Sequence, residues 1–493
     1  MRARLYWDDL TIVRGVCLSA AVRVDRVGRW GMVTFGRALD GVPSLFSVAF
    51  DLGSVGYAVD EHFATGTATA YRASGPRESD GRWAVTPSAT AEFSTRVVVY
   101  RPTDPARGNG TVIVEWLNVT GGLDIPALWM PTHRHLVRDG YTWVGVSAQQ
   151  VGIEGGGMMP GLGLRQMAPE RYGSLHHPGD RYAFDMFTQI GRALRELLSA
   201  RYDVRVERMI AAGASQSAFY LTTYVNAIDP RDRAFDAFLL QGRAGAGAPF
   251  EGWDPASVGP NVDVARRARL VGDDRIRDDL RVPVVVVQSE TDVLGMLAYL
   301  PARQADNERF RLWEIAGAAH CDTYFLYASP LDSGSIPIEE LAELIARTDR
   351  SGAPAALPIN SGPQMHYVLQ RAIDALNRWI DTGLRPPPAP RLEIDNGTLV
   401  VDDAGVARGG VRTPWVDAPT TVLSGLGQPA MTELFGTTRP LNSRTLAGRY
   451  PRGRNDYLAQ FRDATHAAVN AGFLLEADAA EIERLGALAW PNT

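Results

Sequence analysis

Acyl bonds can be cleaved without a metal by three side chains acting together. A serine hydroxyl attacks, a histidine takes its proton, and a carboxylate orients the histidine. This chain of 493 residues carries each of them just past an apolar run. The serine is Ser215, at the apex of Gly213-Ala-Ser-Gln-Ser217. The histidine is His320, closing Ala316-Gly-Ala-Ala-His320 in a sequence with only eight histidines. Two carboxylates compete for the third role, Asp292 and Glu290, both in Gln288-Ser-Glu-Thr-Asp292. Asp292 is favoured, because a turn after a strand would aim it at the imidazole, with Ser289 standing in a glycine slot. Glu290 is the alternative acid, and the loser is expected to brace the loop.

These side chains need elements to hold them. Met209 to Ala212 read as a buried strand, and Phe219, Tyr220, Tyr224 and Val225 recur at roughly helical spacing. Strand, tight turn and helix with a serine at the apex form a nucleophile elbow. Close approach of strand and helix demands small residues two places before and after the serine. Gly213 meets that demand, and Ser217 replaces the usual second glycine, giving G-x-S-x-S. Further buried strands are expected over residues 111–117, 141–147, 234–241, 282–288 and 309–315, with helices over 126–138 and 180–200. Strands alternating with helices argue a doubly wound, mostly parallel α/β sheet, whose site lies at the carboxyl ends of the strands. Serine, carboxylate and histidine then follow strand ends in the chain order expected of α/β-hydrolases. An oxyanion needs two N–H donors. One is expected from Gln216 and the other from the loop after residue 117, at Val119 or Thr120. That loop also holds a glycosylation sequon at Asn118, disregarded because it lies at a buried strand end.

With these residues identified, the chain resembles the α/β-hydrolase superfamily. It resembles in particular a large bacterial branch known simply as "alpha/beta hydrolase domain" proteins. The resemblance is carried by Val114-Glu-Trp-Leu-Asn-Val-Thr-Gly-Gly122, Arg171-Tyr-Gly-Ser-Leu175, Gly213–Ser217, Ser289–Asp292, Gly317-Ala-Ala-His320 and Gly409-Gly-Val-Arg-Thr-Pro414. It covers nearly the whole chain from about residue 50. It implies a serine hydrolase fold without a cofactor, and no particular substrate.

The expected organisation has three parts. Residues 1–105 are a β-rich segment leading into the sheet, with several short strands and turns between them. Residues 106–385 are the hydrolase core, with insertions at about 150–180, 243–280 and 321–362. Residues 386–493, opening on Pro386-Pro-Pro-Ala-Pro390, are an extension packed on the core, with short strands over 391–425 and helix over 454–485. The insertions are expected to form lids over an apolar pocket lined by Met158, Met159, Trp253, Tyr324 and Phe325. Arg243, Arg266, Arg267 and Arg269 read as solvated surface, with contact to a carboxylate or phosphate of the substrate as the alternative. His176 and His177 read as a structural loop rather than a metal pair, since adjacent histidines point apart on most backbones. His366 is a rival base that follows no sheet strand.

Composition excludes several classes. A net charge of −6 argues against a nucleic-acid binder, and two cysteines give neither a disulfide framework nor a metal set. No stretch reaches the length of a membrane span. Arg14 interrupts the apolar run from Leu10 to Val22, so no signal peptide is expected and a cytoplasmic location is favoured. Arginine greatly exceeds lysine, which suggests a high-GC bacterial gene. The chain therefore reads as a serine carboxylic-ester hydrolase, of esterase or lactonase type, acting on a small, mostly apolar molecule without cofactor or metal. The alternatives are an acyltransferase, thioesterase or amidase on the same triad, or a non-catalytic ligand-binding protein. A homodimer is compatible with the long tail.

Overall fold

The computed structural model describes residues 33–157, 159, 161–252, 271–348, 358–427 and 431–491. The chain divides into Met1–Trp30 and Gly31–Thr493, and the described residues all belong to the second unit. Its centre is a nine-stranded sheet in the order β1-β2-β3-β5-β4-β6-β7-β8-β9. The strands are β1 Thr34–Phe35, β2 Tyr57–Ala73, β3 Val85–Pro102, β4 Thr111–Trp116, β5 Thr142–Val146, β6 Arg208–Ala214, β7 Ala237–Gln241, β8 Val284–Ser289 and β9 Phe310–Ile315. From β5 to β9 all pairings are parallel, whereas β1, β2 and β3 join antiparallel. This is the α/β-hydrolase fold, the fold class read from the sequence.

The apolar runs explain why the sheet is central. Every residue of β4, β5, β7, β8 and β9 is buried, as parallel strands covered on both faces require. Alternate residues feed two cores. Val112, Val114, Phe238, Leu240, Val284 and Val286 pack with Phe184, Phe187 and Ile190 of helix α2 (Ala183–Tyr202) on one face. Ile113, Leu239, Val285, Val287 and Trp313 pack with helix α1 (Trp129–Arg138) and helix α4 (Gln364–Thr382) on the other. Between α2 and α4 in the chain lies α3, Gln216–Thr223, the helix of the elbow. Glu115, on β4, fixes α1 to the sheet. Its carboxylate accepts the N–H groups of Leu128 (2.7 Å) and Trp129 (3.0 Å) and the indole of Trp143 (2.8 Å). Burial pushes this carboxyl up to about 7.

The amino-terminal part differs from expectation. The several short strands are in fact two long ones, β2 and β3, of 17 and 18 residues, paired along their length with one bulge. Gly66 does not break β2, because the Phe93 ring fills the space where its side chain would be, 3.1 Å from an ideal Cβ. The tail is short-stranded at Ile394–Asp395, Thr398–Leu399, Thr421–Ser424 and Thr437–Pro440. It ends in two helices, α5 (Arg454–Asn470) and α6 (Glu476–Leu488), where the sequence suggested one helical stretch. The tail packs on the sheet edge: Phe473 lies edge-on to Trp313, and Val411 bridges to Ile315 beside β9. Among the described residues no helix is long and apolar enough to cross a membrane.

Candidate active site

β6 delivers Ser215 to the carboxyl edge of the sheet, and α3 starts immediately after it. Ser215 itself has φ 59° and ψ −123°, a conformation that costs an L-residue energy and persists only where the surroundings impose it. Its N–H is held by the Gln241 carbonyl at the end of β7 (2.9 Å). The small-residue rule of the elbow is visible in the packing. A Cβ on Gly213 would lie 3.0 Å from Leu221 and 3.2 Å from the Ser217 side chain. Ser217, the departure from glycine, is fully buried and donates its hydroxyl to the Ala214 carbonyl (2.8 Å). Its extra atoms are thus accommodated by one hydrogen bond.

The candidate acids and His320 follow the ends of β8 and β9, with β7 lying between them and Ser215. Ser289 ends β8 and caps a one-turn helix, Glu290–Leu294. Its hydroxyl accepts the Asp292 N–H (3.2 Å), and Asp292 Oδ2 accepts the Ser289 N–H (2.6 Å), a reciprocal capping box. That pair fixes Asp292 so that its other oxygen, Oδ1, meets His320 Nδ1 at 2.6 Å. The His320 backbone N–H is tied to Thr291 Oγ1 at 3.1 Å. Glu290 faces elsewhere. It accepts the N–H groups of Gly317 (2.6 Å) and Gly425 (2.7 Å) and the Ser424 hydroxyl (3.2 Å). Of the two candidate acids, then, Asp292 touches the imidazole and Glu290 braces the loop beneath it. Burial pushes the Glu290 carboxyl up to about 7, against the lowering effect of those donors.

Serine and histidine converge at the end of β7. Gln241 binds the Ser215 N–H, and the next residue, Gly242, abuts the imidazole. A Cβ on Gly242 would lie 2.8 Å from His320 Cε1 and 2.9 Å from Nδ1. The ring can stand there only because residue 242 has no side chain.

The oxyanion candidates Val119 and Thr120 also reach the elbow, with their N–H groups engaged. Thr120 N–H goes to Asn118 Oδ1 (2.8 Å), and Val119 N–H goes to the side-chain oxygen of Gln216 (3.2 Å). Asn118, the sequon residue, is buried and donates to the Ala214 carbonyl (3.0 Å). The loop is anchored further on by Asp124, which accepts from Arg96 (2.6 Å) and Ser147 (2.5 Å). Arg96 is fully buried and lies 3.7 Å from Glu61, which in turn binds Arg171 and Tyr172. The Arg171–Leu175 motif therefore serves this buried ionic network. Sequence reasoning missed the Gln216 side chain, Thr291 and the network. Only the Ser289-x-x-Asp292 capping pattern carried a local signal.

Other expected positions separate. Tyr324 is buried and stacks on His366 with ring centroids 3.8 Å apart, so it packs the core rather than a pocket. His366 bonds the Pro131 carbonyl of helix α1, and burial pushes it down to about 3. Phe325 is half-buried, and Met159 is exposed but lies over Gly121, with its Cε 3.5 Å from an ideal Cβ there. Met158, Trp253, Arg266, Arg267 and Arg269 lie outside the described residues. His176 is exposed, while His177 is buried on the Ala148 carbonyl (2.9 Å). Arg243 corrects the expectation of a solvated surface: it is completely buried. A hollow of about 480 Å³ lies at the opposite edge of the sheet, lined by Asp236, Pro283, Arg309 and Trp379. It is remote from the serine.

Fold and site together define an α/β-hydrolase. The chain belongs to the alpha/beta hydrolase domain family, whose model matches residues 33–484. No curated protein matches the sequence. Among solved structures the chain is similar to a thermostable esterase from Pseudomonas putida, at 16% identity and TM-score 0.29, covering 58% of this chain and 80% of that one. It is similar to an α/β serine hydrolase without lid from Xanthomonas campestris, at 13% identity and TM-score 0.26, covering 50% and 83%. A CE15 glucuronoyl esterase from Teredinibacter turnerae gives 12% identity and TM-score 0.26, covering 57% and 73%.

Proposed function

We propose that the protein is a serine hydrolase that cleaves carboxylic esters of small molecules, lactones included, through an acyl-enzyme. The observation that carries this reading is the 2.6 Å contact between His320 Nδ1 and Asp292 Oδ1, with the imidazole seated on Gly242 beside the strand end that binds Ser215. Ser215 Oγ attacks the carbonyl carbon while His320 Nε2 takes its proton. Asp292 holds the ring in the tautomer that leaves Nε2 free and stabilises the imidazolium that forms. The carbonyl oxygen, now negative, is met by the Gln216 N–H and by an N–H of the 119–120 loop, which exchanges its present side-chain acceptor for the oxyanion. The imidazolium returns its proton to the departing alcohol, and water repeats the sequence on the acyl-serine. The strained backbone of Ser215 supports the same reading, since such strain is retained where it positions a reacting group.

Labelling with a fluorophosphonate followed by peptide mapping tests the proposal. Wild type is expected to label at Ser215, and Ser215→Ala and His320→Ala are expected not to label. A wild type that neither labels nor hydrolyses any ester of a broad panel would point to a ligand-binding protein with a hydrolase fold.

A further inference from the structure

Among the described residues Arg243 is a buried cation with no salt bridge. It follows Gly242, so its backbone lies one residue from the contact with His320. Its side chain is 0% exposed. Nε donates to the Ala244 carbonyl (3.1 Å) and Nη2 to the Asp274 carbonyl. Both acceptors are neutral backbone oxygens. Among the described residues the one carboxylate whose field reaches it is that of Asp274. That carboxylate is committed to Arg77 (3.1 Å) and to the Gly247 N–H (2.8 Å). Nη1 is buried and finds no hydrogen-bond partner among the described residues.

A second orphan lies beside it. The guanidinium carbon stands 5.3 Å from the centre of the Tyr299 ring, and the Tyr299 hydroxyl is likewise buried, with no hydrogen-bond partner among the described residues. Tyr299 is no distant residue, for its N–H bonds the Asp292 carbonyl (3.0 Å). Both orphans thus hang on the two loops that carry the acid and the histidine seat. Burying an unpaired charge is among the costliest arrangements in a protein interior, and most buried polar atoms find a partner. Two neighbouring buried donors with nothing to donate to are explained by an acceptor that arrives with a ligand.

We propose that Arg243 Nη1 and the Tyr299 hydroxyl form an anion subsite beside the catalytic residues, and that the substrate is an ester bearing a carboxylate. The claim rests on the ester-hydrolase reading and sharpens it: one end of the substrate is charged. A carboxylate supplies two acceptor oxygens, one for each donor, and neutralises the guanidinium.

The test compares two esters of equal acyl length, mono-4-nitrophenyl adipate and 4-nitrophenyl hexanoate. The readout is the ratio of their kcat/KM values in wild type, Arg243→Met, Arg243→Lys and Tyr299→Phe. Wild type is expected to prefer the adipate ester. Arg243→Met should lower the ratio by about 10–150-fold, the range of a hydrogen bond to a charged group. Arg243→Lys should restore part of it, and Tyr299→Phe, which keeps the ring, should lower it less, mainly through KM of the adipate ester. An equal loss on both esters, leaving the ratio unchanged, would make Arg243 purely structural and overturn the proposal. Thermal unfolding with free adipate forms a second arm. Stabilisation of wild type by adipate without any preference for the anionic ester would assign the subsite to a free carboxylate and sink the substrate claim. If wild type hydrolyses neither ester, yet adipate stabilises it and not Arg243→Met, the anion subsite stands and the esterase reading falls.

Discussion

Asp292 and Glu290 stand two residues apart, both fully buried, and their environments assign them different work. Asp292 has one oxygen in a capping box and the other on His320. Asp292→Asn keeps the shape and loses the charge, and kcat is expected to drop about 10⁴-fold with the fold intact. Steady-state kinetics beside a circular dichroism spectrum would check both halves of that statement. Glu290 holds a proton that the unfolded chain gives up earlier, since its folded value is raised from 4.5 to about 7 by burial. Between those values the unfolded chain binds fewer protons, so this group's contribution to stability is full at low pH and is lost as pH rises toward 7. Glutamine cannot titrate. The stability gap between wild type and Glu290→Gln is therefore expected to be larger at pH 5 than at pH 8 in urea titrations, and a gap that widens with pH would contradict the assignment. Gln216 occupies the Val119 N–H with its own side-chain oxygen. Removing that competitor with Gln216→Ala should speed fluorophosphonate labelling about 2–10-fold, the range of one hydrogen bond's net worth. Slower labelling would mean that the side chain instead holds the loop in place.

At the level of elements, the site is a meeting of strand ends, and the spacing between them is set by glycine. Gly242 is in a left-handed conformation at φ 59° and lies under the imidazole. Gly242→Ala is expected to displace the ring and cost at least about 10²-fold in kcat/KM, since small misplacements of catalytic groups are that expensive. The accompanying loss of stability should be modest, about 1–2 kcal/mol for the unfavourable backbone. Parallel measurement of activity and urea midpoint separates the two. These elements were largely legible in the sequence. Runs such as Val284 to Val287 admit only a strand buried on both faces, and the turns after them fix where Asp292 and His320 fall. What was not legible is contact between residues far apart in sequence. The several short strands expected before residue 105 are two long ones, because their pairing joins residues far apart in sequence, as where Phe93 covers Gly66. Arg243 read as surface, because a charged residue is normally exposed and nothing local reveals what closes over it. The pairing of Gln216 with Val119 spans almost a hundred residues and leaves no periodic trace.

Across the whole molecule, the tail is tied to the loops that carry Glu290 and Cys321. Gly425 N–H and the Ser424 hydroxyl end on Glu290, the Cys321 N–H on the Leu434 carbonyl, and the Asn360 N–H on the Phe435 carbonyl. A chain ended at residue 385 would bare Trp313 where Phe473 packs and strip Glu290 of two of its donors. It is expected to yield no cooperatively folded protein. A soluble truncated chain that unfolds in one transition and still labels at Ser215 would refute that. The same dependence sets a schedule during synthesis. Ser215 leaves the ribosome early, but the bed on which His320 rests is completed only when residue 435 has been added, roughly 6–23 s after His320 itself at ordinary elongation rates. For that interval the nascent chain carries Ser215 while His320 has no fixed seat, so on the proposed mechanism activity waits for the tail to be made.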